Sequence, residues 1–175
     1  KFDVVSMKDA GINVEVEENG TTFEENALIK AKAIYDVCHE PVVSDDSGLI
    51  VDALDGKPGV YSARYAGECH DDAANNAKLL KNLEGVSDRS AKFCSAVVYY
   101  DGKRTEVAKG FVEGKIAYAP RGNNGFGYDP LFLPDEYGGM RALAEVSQAE
   151  KNGISHRGNA LRVLKKALSQ SVDER

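Results

Sequence analysis

The chain has 175 residues, of which 42% are hydrophobic and 29% charged, as in a single compact globular domain. Its net charge of -6 at pH 7 argues against a nucleic-acid-binding surface, because duplex binding depends on clustered Lys and Arg. Three widely spaced cysteines without a C-x-x-C motif indicate reduced thiols and a cytoplasmic protein. No apolar run approaches the roughly 18 residues of a membrane span, so no membrane contact is expected.

A strand and a helix are predicted first. Residues 2–5 have the pattern of a short strand, and an acidic turn follows it. Residues 22–39 are predicted to be a helix, because their apolar side chains recur at steps of three and four. Thr22 and Glu25 match the T-x-x-E capping box at the start of that helix.

The apolar runs PVVS and GLIVDAL, residues 41–44 and 48–54, are predicted to be a buried strand and then a strand or hairpin arm. Asp45 and Asp46 lie between them, at the predicted carboxyl end of the first strand, where ligand crevices collect in open α/β sheets. Because side chains alternate along a strand, one carboxylate should face the crevice, and the other should orient it or cap a Ser47-Gly48 turn. A simple Asx-type turn is the alternative interpretation.

One helix and two long strands are predicted next. Residues 72–83 have a helical pattern. Residues 91–101 and 103–116 are apolar, β-rich runs that meet at Asp101-Gly102, a dipeptide typical of hairpins. A glycine-rich loop then leads into the extended run LFLP, residues 131–134.

Two capped helices are predicted at the end of the chain. Ser147 and Glu150 match a capping box over a short helix that Gly153 ends, and Ser155 caps the final helix. Three leucines of the final helix are predicted to face the core: Leu161, Leu164 and Leu168. With no internal repeat and no shift in composition, the chain is predicted to be one α/β domain over residues 1–175, of undetermined strand order.

Acidic residues just before the first helix are candidates for a metal site. Glu17 and Glu18 lie where a helix dipole favours carboxylates in any case. The functional interpretation makes one of them a second oxygen ligand for Mg²⁺, which takes one or two carboxylates with phosphate and water oxygens. Glu25 already has a capping role and is not expected to bind the metal.

The segment GNNGFGYDP, residues 122–130, contains three glycines and two aromatic residues. Glycine lets the backbone approach a ligand closely, and an aromatic ring can stack on a base. A turn that leads into the next strand explains the segment equally well. By its residues alone, the segment PGVYSARYAG, residues 58–67, is interpreted as a surface turn.

The segment EKNGISHRG, residues 150–158, places three basic side chains at a helix start: Lys151, His156 and Arg157. Cations there oppose the helix dipole, and a bound anion would remove that conflict. Surface cations beside Glu150 are the alternative, but three of them together favour a ligand.

Five motifs, in their order and separations, closely resemble the inosine triphosphate pyrophosphatase family, enzymes that remove non-standard purine nucleoside triphosphates. These motifs are TFEENALIKA, SDDSGL, PGVYSARYAG, GFGYDPLF and EKNGISHRGNAL. The resemblance covers nearly the whole chain. It implies an elongated α/β fold with a long central mixed sheet flanked by helices, and two lobes around a substrate cleft. It also implies a cytosolic homodimer that uses Mg²⁺ to hydrolyse ITP, dITP and XTP to the monophosphate and pyrophosphate.

The resemblance assigns roles to individual residues. Asp46 matches the family's catalytic acid, which is also a metal ligand, and Glu18 matches the other metal-binding acid. The residues that match substrate contacts are Lys30 for phosphate, Ser47, the base-binding loop of Phe126, Gly127, Tyr128 and Asp129, and then Lys151, His156 and Arg157. The implied reaction is attack of water on the α-phosphorus, activated by Asp46 or its metal. A donor on Arg157 or on a backbone N–H would bond the 6-oxo group and disfavour ATP.

One departure from the family pattern concerns the amino terminus. Family members begin with a strand that runs into a T-G-N turn and a nearby phosphate-binding lysine, and nothing before Phe2 matches this motif. The expectation is therefore a single domain without that segment and with little turnover from residues 1–175 alone. Two alternatives remain: a catalytically inactive nucleotide-binding or dimer-forming module, and a Mg²⁺-dependent phosphatase for other phosphorylated metabolites.

Overall fold

The computed structural model describes residues 3–170. Its helices and strands, in chain order, are α1 (Phe23–Cys38), β1 (Val42–Val51), α2 (Asp72–Asn82), β2 (Ser90–Tyr100), β3 (Thr105–Ile116), β4 (Phe132–Pro134), α3 (Gln148–Ile154) and α4 (His156–Gln170). Short 3₁₀ helices cover Asp52–Leu54, Gly59–Arg64, Asp135–Tyr137 and Leu143–Glu145. None of the helices within this described range is long and apolar enough to cross a bilayer.

The four strands form one sheet in the order β1-β2-β3-β4, and every neighbouring pair is antiparallel. The α/β class is thus confirmed, but the strands of residues 3–170 are not the mixed arrangement that was predicted. The hairpin predicted at Asp101-Gly102 joins β2 to β3. Such hairpins pair strands that are close in sequence, which explains why the local pattern identifies them.

Helices α1 and α4 cover opposite faces of the sheet. Val98 of β2 packs against α1, whereas its neighbours Val97 and Tyr99 pack against Ala160 and Leu164 of α4. Successive side chains of a strand point to opposite faces, so the alternation along β2 decides which helix each residue meets. A further core cluster includes Leu79 of α2 and Phe93 of β2, and it packs α2 against the same face of the sheet as α4.

Local capping explains where the helices begin. Thr22 Oγ1 accepts a hydrogen bond from Glu25 N–H at 3.1 Å, as predicted, and the Glu25 carboxylate accepts from Thr21 N–H at 2.7 Å. The capping box of Ser147 and Glu150 is present at the start of α3. Ser155 Oγ accepts from Gly158 N–H at 3.2 Å in the first turn of α4.

Several predictions were wrong in detail. Residues 3–6 form no strand, and residues 1 and 2 lie outside the described range. Strand β1 runs without a break through Asp45 and Asp46, so there is no turn at Ser47-Gly48 and the aspartates do not end a strand. All ten residues of β1 pair with β2, and this pairing keeps the strand continuous through the two aspartates. Helix α3 continues one residue past Gly153, and Leu161 is exposed, whereas Leu164 is buried.

Candidate functional site

A cluster of charged side chains lies where α1 packs on β1. Glu18 Oε1 lies 2.6 Å from Lys30 Nζ, and Lys30 also donates to the backbone oxygen of Asp45 at 2.8 Å. The buried side chain of Asn26 donates a hydrogen bond to Asp46. Burial, and then the charge of Glu18, raise the pKa of the Asp46 carboxyl to about 6, because both disfavour the anion.

The Asp46 carboxylate has the features of an incomplete cation site. Its Oδ2 is buried and has no hydrogen-bond partner among residues 3–170. A buried carboxylate oxygen without a partner is unfavourable, and a cation would compensate for it. Within that range no group of three or more His, Cys, Asp and Glu could enclose a metal. Glu18 and Asp46 therefore fit Mg²⁺, which takes few carboxylates and completes its shell with phosphate and water oxygens.

A cavity of about 270 Å³ lies on the other face of β1. Strand alternation places Asp45 and Ser47 on the α4 face, where they pair with Val97 and Ser95, and places Asp46 on the α1 face. Eight of the nine predicted substrate contacts line the cavity. The exception, Lys30, lies with Glu18 in the charged cluster.

An aromatic stack forms one wall of the cavity. The His156 imidazole lies against the Phe93 ring, with centroids 5.1 Å apart and an interplanar angle of 14°. Burial, and then the charges of Arg157 and Lys151, lower the pKa of His156 to about 4. The imidazole is therefore neutral at pH 7, with one nitrogen that donates and one that accepts.

The loop at residues 126–129 forms another part of the cavity wall and is held by internal hydrogen bonds. Asp129 Oδ2 lies 2.5 Å from Lys151 Nζ and accepts from Phe126 N–H at 3.1 Å. Lys151 Nζ in turn lies 4.4 Å from the centre of the Phe126 ring. The Tyr128 hydroxyl donates to the Ser62 carbonyl at 2.6 Å, and burial raises its pKa. Asp129 and Tyr128 thus stabilise the wall, while Phe126, which is 72% exposed, presents its ring.

Arg157 and Ser47 of the cavity wall bond to residues of β1 and β2. Arg157 Nε donates to Asp45 Oδ2 at 2.7 Å. Asp45, the neighbour of Asp46 in β1, thus holds Arg157 at the cavity. Ser47 Oγ donates to Ser95 Oγ at 3.0 Å. On the side of β1 away from β2, the Asp45 carbonyl accepts from Lys30 and Leu49 N–H donates to Ser62 Oγ.

Sequence reasoning missed three residues of this region. Phe93 is one apolar residue in a long apolar strand, and nothing local distinguishes it from its neighbours. Asn26 is a polar residue beside the apolar face of α1, which is a usable signal for a buried hydrogen bond. Asp72 begins α2, where acids are common for helix-dipole reasons alone, and it lines the cavity.

Comparison with known proteins gives consistent matches. A model of the Ham1 family matches residues 1–167. A protein of Listeria monocytogenes serotype 4b (strain F2365), named dITP/XTP pyrophosphatase, is 52% identical over an alignment of 176 positions that covers 99% of this chain and 86% of that protein. One of the same name from Bacillus subtilis (strain 168) is 48% identical over 170 residues, covering 95% of this chain and 85% of that protein.

Two solved structures are similar to the whole fold. The Staphylococcus aureus Ham1 protein aligns with a TM-score of 0.85 and 44% identity, over 91% of this chain and 82% of that chain. The nucleoside-triphosphatase / dITP/XTP pyrophosphatase of Mycobacterium abscessus aligns with a TM-score of 0.77 and 46% identity, over 93% of this chain and 83% of that chain.

Proposed function

The chain belongs to the Ham1 family, as its motifs predicted, and from this we propose that it is a Mg²⁺-dependent pyrophosphatase of non-standard purine nucleoside triphosphates. Its substrates would be XTP, dITP and ITP, and its products the monophosphate and pyrophosphate. Relatives about half identical to it are named dITP/XTP pyrophosphatase, which supports the first two substrates. ITP has the same base as dITP, so a base site for one suits the other.

The proposal rests mainly on one observation: the cation site at Asp46 and the cavity at Ser47 lie at consecutive residues of β1. Asp46 presents an unpaired, buried carboxylate oxygen on one face, and Ser47 lines an aromatic cavity on the other. Asp45 links the two sites, because its carboxylate accepts from Arg157 of the cavity and its carbonyl accepts from Lys30 of the charged cluster. A nucleotide with its base in the cavity would then bring its phosphates to Asp46, Glu18 and Lys30.

The chain's own residues support hydrolysis at the α-phosphorus. With a pKa of about 6, the Asp46 carboxyl is ionised at pH 7 and can accept a proton from the attacking water. Lys30 brings a positive charge to the place where phosphate charge would develop. When bound to Glu18 and Asp46, Mg²⁺ would supply Lewis-acid polarisation of phosphate oxygens. Pyrophosphate would leave as the bond from the α-phosphorus to the bridging oxygen breaks.

The cavity wall supports selection of a 6-oxopurine. Arg157 lines the cavity and is held at its Nε by Asp45, and its guanidinium is a donor of the kind that a 6-oxo group accepts from. ATP would present an amino group to that donor, and an unpaired polar contact of this kind gives strong rejection. We therefore assign discrimination against ATP to Arg157.

The test of the function is release of pyrophosphate and of orthophosphate from XTP, dITP, ITP and ATP, with Mg²⁺ and with EDTA. We expect pyrophosphate from the first three in Mg²⁺ only, and no turnover by Asp46→Asn. Orthophosphate as the product would favour the general phosphatase, and ITP binding without hydrolysis would favour the inactive module.

Assembly and location are also proposals that follow from the family. We propose a homodimer in the cytoplasm whose partner is the small-molecule nucleotide, with neither nucleic acid nor membrane bound. The net charge of -6 supports the absence of nucleic-acid binding. Sedimentation equilibrium tests the dimer: a molecular mass near the 18.9 kDa of one chain at all concentrations would contradict it.

A further inference from the structure

Helix α2 binds both backbone polar groups of Gly127, the N–H of the peptide before it and the carbonyl of the peptide after it. Asp72 Oδ2 accepts a hydrogen bond from Gly127 N–H at 2.8 Å, and Asn76 Nδ2 donates to the Gly127 carbonyl at 3.0 Å. Asp72 and Asn76 are four residues apart, so they lie on the same face of α2, one turn from each other. We call these two side chains the α2 clamp.

The clamp holds Gly127 from outside the loop, in addition to the hydrogen bonds that Asp129 makes within it. Gly127 has a left-handed backbone with φ +59, and a Cβ added to it would meet no atom within 4 Å. No side chain fixes the backbone at Gly127, and its two polar groups are both bonded to the clamp. The neighbouring Phe126 is mostly exposed and gains little from the core. The position of its ring thus depends on the backbone on either side of it, which Asp129 holds at the Phe126 N–H and the clamp holds at Gly127.

Neither Asp72 nor Asn76 is explained by packing alone. Asp72 is the first residue of α2, where the helix dipole favours its charge, and a hydrogen bond to a carboxylate is stronger than one to a neutral oxygen. Asn76 is buried, and its Oδ1 has no partner within the part of the chain that the structure describes. A leucine would fill that space without leaving an unpaired oxygen. The distinct contribution of Asn76 is therefore its bond to Gly127.

We propose that Asp72 and Asn76 are positioning residues for the nucleobase, an inference that rests on the proposed function. By fixing the backbone at Gly127, they would hold the Phe126 ring at the distance from the Phe93–His156 stack that a flat 6-oxopurine requires. Neither residue belongs to the charged cluster around Asp46. The clamp should therefore govern recognition of the base and leave recognition of the phosphates unchanged.

The test compares two probes, inosine monophosphate (IMP) and inorganic pyrophosphate with Mg²⁺, by titration calorimetry of the whole chain. Asp72→Ala and Asn76→Ala should each weaken IMP binding about 10-fold, as expected for a lost charged or buried hydrogen bond. Binding of pyrophosphate should stay within about twofold. The KM for ITP should rise by a similar factor, with kcat changed less than about threefold, because uniform binding of the base is lost.

Two matched variants separate positioning from stability. Asp72→Asn keeps an acceptor for Gly127 N–H and should hold IMP affinity within about threefold of the parent. Asp71→Ala removes the neighbouring acid, which caps α2 by accepting from Ala74 N–H at 3.1 Å but does not contact Gly127. It should lower stability, because a helix cap is lost, and leave IMP affinity unchanged.

Three results would overturn the clamp: unchanged IMP affinity in both alanine variants, equal weakening of IMP and pyrophosphate, or an equal loss of IMP binding in Asp71→Ala. If Asn76→Ala fails to fold, the Asp72 variants decide the question alone. Failure of the proposed function looks different, because the parent chain itself would then bind no IMP. That result would remove the role of the clamp as well.

Discussion

At Asp46 the requirements of function oppose those of stability. The folded state raises the pKa of its carboxyl from 3.8 to about 6, chiefly by burial and then by the charge of Glu18. Between these two values the folded state binds more protons than the unfolded state, so stability falls as pH rises through this window. At pH 7 the ionised carboxylate therefore destabilises the fold, as is common for groups that perform chemistry.

We predict that Asp46→Asn, which keeps the shape and removes the charge, is inactive but more stable in Mg²⁺-free buffer at pH 7. The gain should be about 1 kcal/mol, less than the full pKa shift implies, because the side chain is partly solvated. Urea unfolding measures it. Asp45→Asn is the control: it weakens the ion pair with Arg157 and should give no gain. A less stable Asp46→Asn would contradict the argument.

His156 gives a pH dependence of the opposite sign. The pKa of its imidazole is lowered from 6.5 to about 4 by burial and by the charges of Arg157 and Lys151. The unfolded chain therefore takes up a proton first, and stability that is complete above pH 6.5 is lost as pH falls toward 4.

We predict that His156→Gln removes this loss. Urea unfolding of both proteins between pH 7 and pH 4.5 should show the parent losing about 2 kcal/mol more than the variant. The carboxyl groups titrate in both proteins, so their effect on the free energy of unfolding cancels in the difference between the two. Parallel pH profiles would show that the imidazole does not titrate as its burial requires.

We predict that Arg157→Ala lowers the ratio of kcat/KM for ITP over ATP by about 10-fold or more, since the donor to the 6-oxo group is lost. Arg162→Ala is the matched control: Arg162 is an exposed residue of the same helix, bonded to Asn159. It should leave the ratio unchanged. An unaltered ratio in Arg157→Ala would assign discrimination to another donor, such as a backbone N–H.

At the scale of elements, local signals predict helices better than they predict strands. The start of α1 at Thr22 and of α3 at Ser147 follows from capping chemistry within four residues, and both predictions are confirmed. Strand β1 was predicted to end at its two aspartates because charges rarely continue an apolar run. Its course is set instead by pairing with β2, which lies some fifty residues away along the chain. Such pairing has no local signature.

The contact between α4 and β3 gives the sharpest test at this scale. A Cβ at Gly110 of β3 would lie 2.3 Å from the carbonyl oxygen of His156 and the amide nitrogen of Ala160. Both are backbone atoms, so a side chain at this position can be accommodated only if the whole helix moves. Helix α4 carries His156 and Arg157, so that movement would also open the cavity.

We predict that Gly110→Ala destabilises the fold by about 2–3 kcal/mol and raises the KM for ITP. Gly153→Ala in α3 is the control, because a Cβ there meets no atom within 4 Å and the backbone is helical. It should stabilise the chain by about 0.5–1 kcal/mol. Urea unfolding and initial-rate kinetics of both variants measure the two effects. Equal behaviour of the two alanines would contradict the close packing of α4.

At the scale of the whole molecule, the site joins parts of the chain that the sequence keeps far apart. The resemblance of the motifs to a known family assigned eight of the residues around the cavity. It could not show that Asp46 and Ser47 lie on opposite faces of one strand, because the strand was expected to end at Asp45 and Asp46, before a turn at Ser47-Gly48. Nor could it identify Phe93, whose position opposite His156 depends on the packing of α4.

Because a ligand in the cavity would touch β1, α2, the loop at residues 126–129 and both carboxyl-terminal helices, we predict that it stabilises the whole fold as one unit. With IMP at 100 times its Kd, the free energy of unfolding should rise by about 2.7 kcal/mol. Urea unfolding should show one transition by far-ultraviolet circular dichroism and by the fluorescence of the eight tyrosines. AMP at the same concentration should give a smaller rise, since its 6-amino group lacks the acceptor that Arg157 requires. Two separate transitions, or a shift in only one signal, would mean that the two faces of β1 unfold independently and that the cavity does not couple them.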